Sequence, residues 1–159
     1  MSNLSYQFEE YEFCGYIHHR ANFTIDSREY FIAFTPLDEE TFSQKTDNKI
    51  PFTSNSYEIN FDLIANYQQK PFQPFEPPAT KWQSIKSMRQ LDETLFDLIR
   101  THCYHHRVNK YYFIPSDEKL KRYYDRLIKK YAPMLNCSAT YFDNANEECY
   151  YEITIYQSN

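Results

Sequence analysis

The stretch Lys110-Tyr-Tyr-Phe-Ile-Pro-Ser-Asp-Glu-Lys-Leu-Lys-Arg-Tyr-Tyr-Asp-Arg-Leu-Ile-Lys-Lys-Tyr131 decides the fold. Tyr111 to Ile114 is aromatic and β-branched, which suits a short, packed strand. Pro115 has no N–H and stops the ladder, and Ser116 is a good N-cap, because its hydroxyl can accept from an otherwise unpaired amide. Asp117 and Glu118 put negative charge at the positive end of the helix that follows, and Lys129 and Lys130 put positive charge at its other end. Leu120, Tyr123, Tyr124, Leu127, Ile128 and Tyr131 recur at three- and four-residue steps and form one apolar stripe.

Working outward, residues 80–106 read as a long helix. Thr80 and Gln83 have the spacing of a capping box with Trp82 in the first turn, and Ile85, Met88, Leu91, Leu95, Leu98, Ile99 and His102 continue the stripe. Asp92 is an alternative cap that would put a kink near Gln90. Before this helix, residues 66–79 hold Pro71, Pro74, Pro77 and Pro78 with Phe72 and Phe75 between them, a density that forbids helix and favours an extended strap. The N-terminal part, 4–64, reads as an antiparallel meander. It has a first strand within 4–13 and a hairpin of Phe23–Ile25 with Tyr30–Phe34 around Asp26-Ser27-Arg28, ended by Pro36. A polar connection over 38–56 follows, and then a strand over 57–64 whose alternation gives it one wet face. Residues 137–142 and 149–156 are two last strands joined by Asp143-Asn-Ala-Asn146.

The resulting order is ββββαβαββ: an α+β two-layer sandwich, one domain over 1–159. The strand at 111–114 is central, both helices lie on one face, and at least one crossover is right-handed.

The segment from Thr94 to Tyr131, in particular Tyr112-Phe-Ile-Pro-Ser-Asp-Glu118 followed by Arg122, Tyr124, Arg126 and Leu127, resembles a pattern in small uncharacterised bacterial and phage proteins. Those proteins carry a meander, a long helix, a strand ending in a Ser/Asp-rich turn, and a helix with a Tyr/Phe-x-Arg-Leu core. The likeness covers about half the chain. It implies the same fold order and a phage, plasmid or defence setting, and it implies no chemistry.

Composition excludes more than it assigns. The 159 residues contain one glycine, Gly15, where average usage of about 7% gives about eleven. Phosphate-cradling loops need several glycines for close backbone approach and positive φ, so a Walker loop, a dinucleotide fingerprint, a Gly-rich kinase loop and the pyrophosphate grip of common acyl-CoA transferases are all absent. A formal charge of −5 argues against a protein that coats nucleic acid. Cys14, Cys103, Cys137 and Cys149 are widely spaced with no CxxC, no signal peptide is recognisable, and no apolar run spans a bilayer. Reduced thiols in a cytoplasmic protein that does not engage a membrane are the expectation.

Three clusters carry chemistry. His102, Cys103, His105 and His106 end the long helix, and His102 and His106, four apart, share a face as two metal ligands must. A third ligand is missing from the helix itself; Cys14, His18 or His19 can supply one if the fold brings the N-terminal strands there. The ordinary reading of these histidines is as cations on a helix C-terminus, capping carbonyls. Cys103 beside them invites a thiolate nucleophile, which a helix C-terminus disfavours. Asp117 and Glu118 can hold a divalent ion, although their dipole role suffices, and Glu147 and Glu148 face solvent.

Finally, Lys119, Lys121, Arg122, Arg126, Lys129 and Lys130 form a basic strip, interrupted by Asp125, to which Tyr111 and Tyr123 add stacking surface for nucleic acid or phosphate. The bland version is a solvated face with pairs such as Glu118–Arg122. The leading expectation is a non-enzymatic protein-interaction domain that needs no cofactor and binds a protein partner or itself through exposed tyrosines and the charged helix faces. A metal-dependent or thiol hydrolase or nuclease on the His102–His106 cluster, with candidates His102, His105 and His106, is the first alternative. A nucleic-acid module using Lys119, Arg122, Arg126, Lys129 and Lys130 is the second.

Overall fold

The computed structural model describes residues 8–13, 15–37, 55–65, 85–143 and 149–156. Within them the elements run β1 (Glu9–Phe13), β2 (Tyr16–Ile25), β3 (Arg28–Leu37), β4 (Ser56–Leu63), α1 (Ile85–His106), β5 (Lys110–Phe113), α2 (Glu118–Tyr131), a 3-10 turn (Ala132–Met134), β6 (Cys137–Phe142) and β7 (Tyr150–Ile155). This is an α+β fold with the expected element order. The capping box at Thr80 and Gln83, the proline strap, most of the polar connection and residues 144–146 of the last turn lie outside the described residues.

All seven strands form one sheet in the order β1-β2-β3-β4-β5-β7-β6. β1 to β4 are an antiparallel meander. β5 joins β4 in parallel, with α1 in the crossover between them, and β7 and β6 complete the sheet antiparallel. The strand built on Tyr111 to Phe113 is thus interior, as its apolar run requires. Alternation places Ile32, Phe34, Ile59, Phe61, Tyr111 and Phe113 on one face, where Leu95, Leu98 and Ile99 of α1 and Leu120, Tyr124 and Leu127 of α2 cover them in one core cluster. Leu37, Tyr112 and Tyr150 form a smaller cluster on the opposite face, with Ile114 and Phe142 against it.

Four local expectations are corrected. Helix α2 is capped by Asp117, not Ser116: Asp117 has extended backbone and its carboxylate accepts from the Leu120 N–H at 2.7 Å. A carboxylate there makes a charge-assisted bond and meets the helix dipole as well, so it wins over the neighbouring hydroxyl. Pro36 does not end β3, which runs on to Leu37. The ladder with β2 stops at the His19–Phe34 pair, and only β4 accompanies the strand past it, so the missing N–H is tolerated. β4 has no wet face, since Glu58 and Asp62 are both buried. Finally, α1 is unbroken, and Asp92 is no cap but a buried carboxylate that accepts from the Tyr123 hydroxyl at 2.6 Å and pairs with Arg126 at 3.4 Å, tying α1 to α2.

Two turns show why these residues stand where they do. Gly15, between β1 and β2, has φ +83, which costs a side-chain-bearing residue strain. Asp26 and Ser27 join β2 to β3 in two residues with φ 52 and 64, the left-handed pair that matches strand twist in a tight hairpin. The Asp117 cap yields a first prediction. Asp117→Ala lowers stability by about 1–2 kcal/mol in urea denaturation, whereas Ser116→Ala changes it by a few tenths; the reverse order would restore Ser116 as the cap.

Candidate metal centre

The site is built where β1, β2 and α1 meet. On β2, His19 has the same parity as Ala21, Phe23 and Ile25, so its side chain faces the helices. On α1, His102 continues the stripe of Leu95, Leu98 and Ile99, and His106 follows one turn later. The end of α1 is fixed by backbone chemistry. Arg107 adopts φ 49 and the Val108 N–H reaches back to the Cys103 carbonyl at 3.3 Å, closing a Schellman-type turn. The side-chain amide of Asn55, just before β4, donates to the carbonyls of His106 and Arg107 at 3.0 and 3.3 Å. The carbonyls of Cys103, His106 and Arg107 are therefore met by amides and not by histidine side chains.

His19, His102 and His106 offer ligand atoms that all lie within 4.8 Å of one another. His19 Nδ1 stands 2.9 Å from His102 Nε2, and His102 Nδ1 stands 2.7 Å from the Tyr111 hydroxyl. His19 Nε2 lies 3.7 Å from Glu10 Oε1, its cross-strand partner on β1. His106 stacks on His19 with ring centroids 4.1 Å apart, and His102 lies flat on Phe34 at 3.8 Å, with Phe8 and Tyr57 edge-on to it. His102 is fully buried, His19 nearly so, and His106 is part-exposed.

Burial is the main reason why all three imidazoles are held neutral. It lowers the pKa of His102 to about 2, with His19, His106 and His105 adding repulsion. His19 is lowered by burial and by His106 against the pull of Glu10, and His106 by burial, again against Glu10. Neutral imidazole is the form that binds a metal. The carboxylate of Glu10 sets the direction of the hydrogen bonds. Assigning one proton to each contact, His19 Nε2–H points to Glu10, His102 Nε2–H donates to His19 Nδ1, and the Tyr111 O–H donates to His102 Nδ1.

The same framework suits a metal ion. Two nitrogens on one tetrahedral ion at 2.0–2.1 Å stand about 3.3 Å apart, close to the 2.9 Å between His19 and His102. With an ion on His19 Nδ1, His19 Nε2–H keeps Glu10 as its partner. With the ion on His102 Nε2, His102 takes its proton on Nδ1 and gives it to the Tyr111 oxygen. Ligating histidines ordinarily use their second nitrogen in this way. The stacked His106 ring needs a side-chain rotation to aim its lone pair at the same point, which its partial exposure allows.

The other sequence candidates are placed differently. His105 is exposed, lies edge-on to Tyr104, and is not one of the three converging ligands. His18, on the opposite face of β2, stacks on Tyr11, and Cys14 lies outside the described residues. Cys103 is buried and its thiol is pushed up by burial and by Cys137, the reverse of an activated nucleophile. In the basic strip Lys121, Arg126 and Lys129 pair with Glu118, Asp92 and Asp125, Arg122 donates to the Glu118 carbonyl, and Lys130 lies over the Tyr131 ring. Much of its charge is thus already matched. Glu10 is the participant that the sequence alone does not single out; only the register of β1 on β2 sets it opposite His19.

No family model matches the chain, and no curated protein or solved structure matches it either.

Proposed function

We propose that this protein is a transition-metal-binding domain whose ion is held by His19, His102 and His106. The observation that carries the reading is the convergence of three neutral imidazoles from two distant elements, with Glu10 beside the second nitrogen of His19 and the Tyr111 hydroxyl beside that of His102. An all-imidazole donor set favours zinc, copper or nickel over magnesium or calcium, which prefer oxygen. Three protein ligands leave a fourth tetrahedral position for water or substrate, as hydrolytic zinc sites do and closed structural sites do not. A metal-dependent hydrolase is the enzymatic form of this reading, with Glu10 holding His19 through its other nitrogen. The test is zinc titration of chelator-treated protein by calorimetry, with native mass spectrometry for stoichiometry. One ion per chain and a raised melting temperature are expected, since a ligand at one hundred times its Kd adds about 2.7 kcal/mol. Failure to bind zinc, copper, nickel or cobalt at stoichiometric protein would end the reading.

A protein-interaction role stands beside it. It is supported by large apolar side chains left outside the core, Tyr104, Met134 and Tyr156 among them. Cys103, Cys137 and Cys149 are free thiols, which fits a reducing, cytoplasmic location. No helix among the described residues is long and apolar enough to cross a membrane. A phage, plasmid or defence setting rests on the likeness noted in the sequence.

A further inference from the structure

The two border strands of the sheet differ in kind. β1 reads Glu9-Glu10-Tyr11-Glu12-Phe13, so two copies of this edge repel. β6 reads Cys137-Ser138-Ala139-Thr140-Tyr141-Phe142, with no charge, proline or glycine, and Ser138, Ala139 and Thr140 are exposed. Proteins ordinarily guard sheet edges with charges, prolines or bulges. Here one edge is guarded and the other is not. The pairing of β6 with β7 is continuous, without a bulge.

The ladder fixes which backbone groups look outward. The Tyr156 N–H donates to the Asn136 carbonyl at 2.8 Å, which makes that pair a hydrogen-bonded one. The two-residue period then engages Ser138, Thr140 and Phe142 with β7, and turns the N–H and C=O of Cys137, Ala139 and Tyr141 to the outer side. Among the described residues no strand pairs there.

We propose that the β6 edge is where two copies of this chain pair antiparallel about a two-fold axis, joining their sheets into one. This gives the protein-interaction reading its surface and its partner. A second copy fits because the edge is complementary to itself. With Ala139 on the axis, Ala139 meets the partner's Ala139 and Cys137 meets the partner's Tyr141, so every outward amide and carbonyl of these residues finds its counterpart. On the face away from the helices, Ser138 lies opposite the partner's Thr140, a favourable hydroxyl pair. On the helix side the small Ala139 occupies the point of closest approach. Next to it an open groove bordered by Lys129, Pro133, Leu135, Cys137, Ala139 and Tyr156 leaves the helix side of the edge accessible to a second copy. Each copy carries a net charge of −5, so contact at an uncharged edge avoids the repulsion that β1 would bring.

The test is sedimentation equilibrium of the full chain, with amide hydrogen exchange on the same samples. Wild type is expected to be a dimer of twice 19.4 kDa, with Cys137, Ala139 and Tyr141 amides protected. Ala139→Lys, an exposed substitution that puts two like charges on the axis, is expected to be monomeric with an unchanged circular dichroism spectrum, those three amides exchanging freely, and a melting temperature that no longer rises with protein concentration. Glu12→Lys on the opposite edge should leave the dimer intact. A wild-type monomer at tens of micromolar overturns the proposal, as does a dimer that survives Ala139→Lys. Either result leaves the zinc titration and the wider protein-interaction reading standing, the latter then requiring a different protein on a different surface.

Discussion

His102→Ala is expected to lower stability by about 3–4 kcal/mol and the melting temperature by roughly 10 °C, and to abolish the gain from zinc. The side chain is fully buried, lies flat on Phe34 at 3.8 Å, and bonds His19 on one nitrogen and Tyr111 on the other. Alanine leaves a void against an aromatic ring and strands two buried polar partners, and each of these costs separately. His106→Ala separates the two roles of the cluster. That ring is part-exposed and held mainly by stacking on His19, so the metal-free melting temperature should move by only a degree or two, while the zinc-dependent increase disappears. Thermal melts of both variants with and without zinc decide the matter. A His102→Ala protein that melts like wild type and still responds to zinc would remove the cluster from both structure and function.

The second large effect is on pH. Metal-free protein is expected to lose stability as pH falls below 6.5, at about 1.4 kcal/mol per pH unit for each histidine kept neutral in the fold. The folded pKa of His102 lies below its unfolded value, so the unfolded chain takes up the proton first. The contribution is complete above the unfolded pKa of 6.5 and declines steadily below it, towards about 2. Between pH 7 and pH 5 His102 alone accounts for about 2 kcal/mol, and His19 adds in the same direction. Asp125, held low by Lys129, weakens only below the ordinary carboxylate range and stays outside this window. Urea midpoints at pH 7 and pH 5, with chelator present, should differ clearly in wild type and less in His102→Phe. Equal wild-type midpoints at the two values would show that the histidines are not buried in neutral form.

Much of the architecture was legible because it rests on periodicity. The stripe from Leu120 to Tyr131, the apolar run at Tyr111 and the alternation of β4 each announce an element, and together they give the observed order. What failed was decided by neighbours. Ser116 and Asp117 are both good caps, and only the point where the helix starts chooses between them. Glu58 and Asp62 alternate like residues of a wet face but are buried in the folded chain.

The candidate metal centre is half legible. His102 and His106 declared their shared face through the four-residue spacing. His18 and His19 are adjacent, and which of them turns inward is a matter of parity. Ala21, Phe23 and Ile25 carry that signal, since His19 alone shares their face. Glu10 had no signal, because a cross-strand pair exists only once the register does.

The parallel seam between β4 and β5 consists of only three pairs, Ser56–Lys110, Tyr57–Tyr111 and Glu58–Tyr112. The first two turns of the meander are tight and its third connection spans residues 38–55, whereas this junction must wait until everything between Leu63 and Lys110 has looped back. Non-local pairings of that kind form slowly, because the entropy of closing the loop is lost before contacts return it. His19 lies on β2 of the meander and His102 near the end of α1, 83 residues later in the chain. Their meeting is itself a non-local contact, so an ion held by both would favour only those states in which α1 is already docked on the meander.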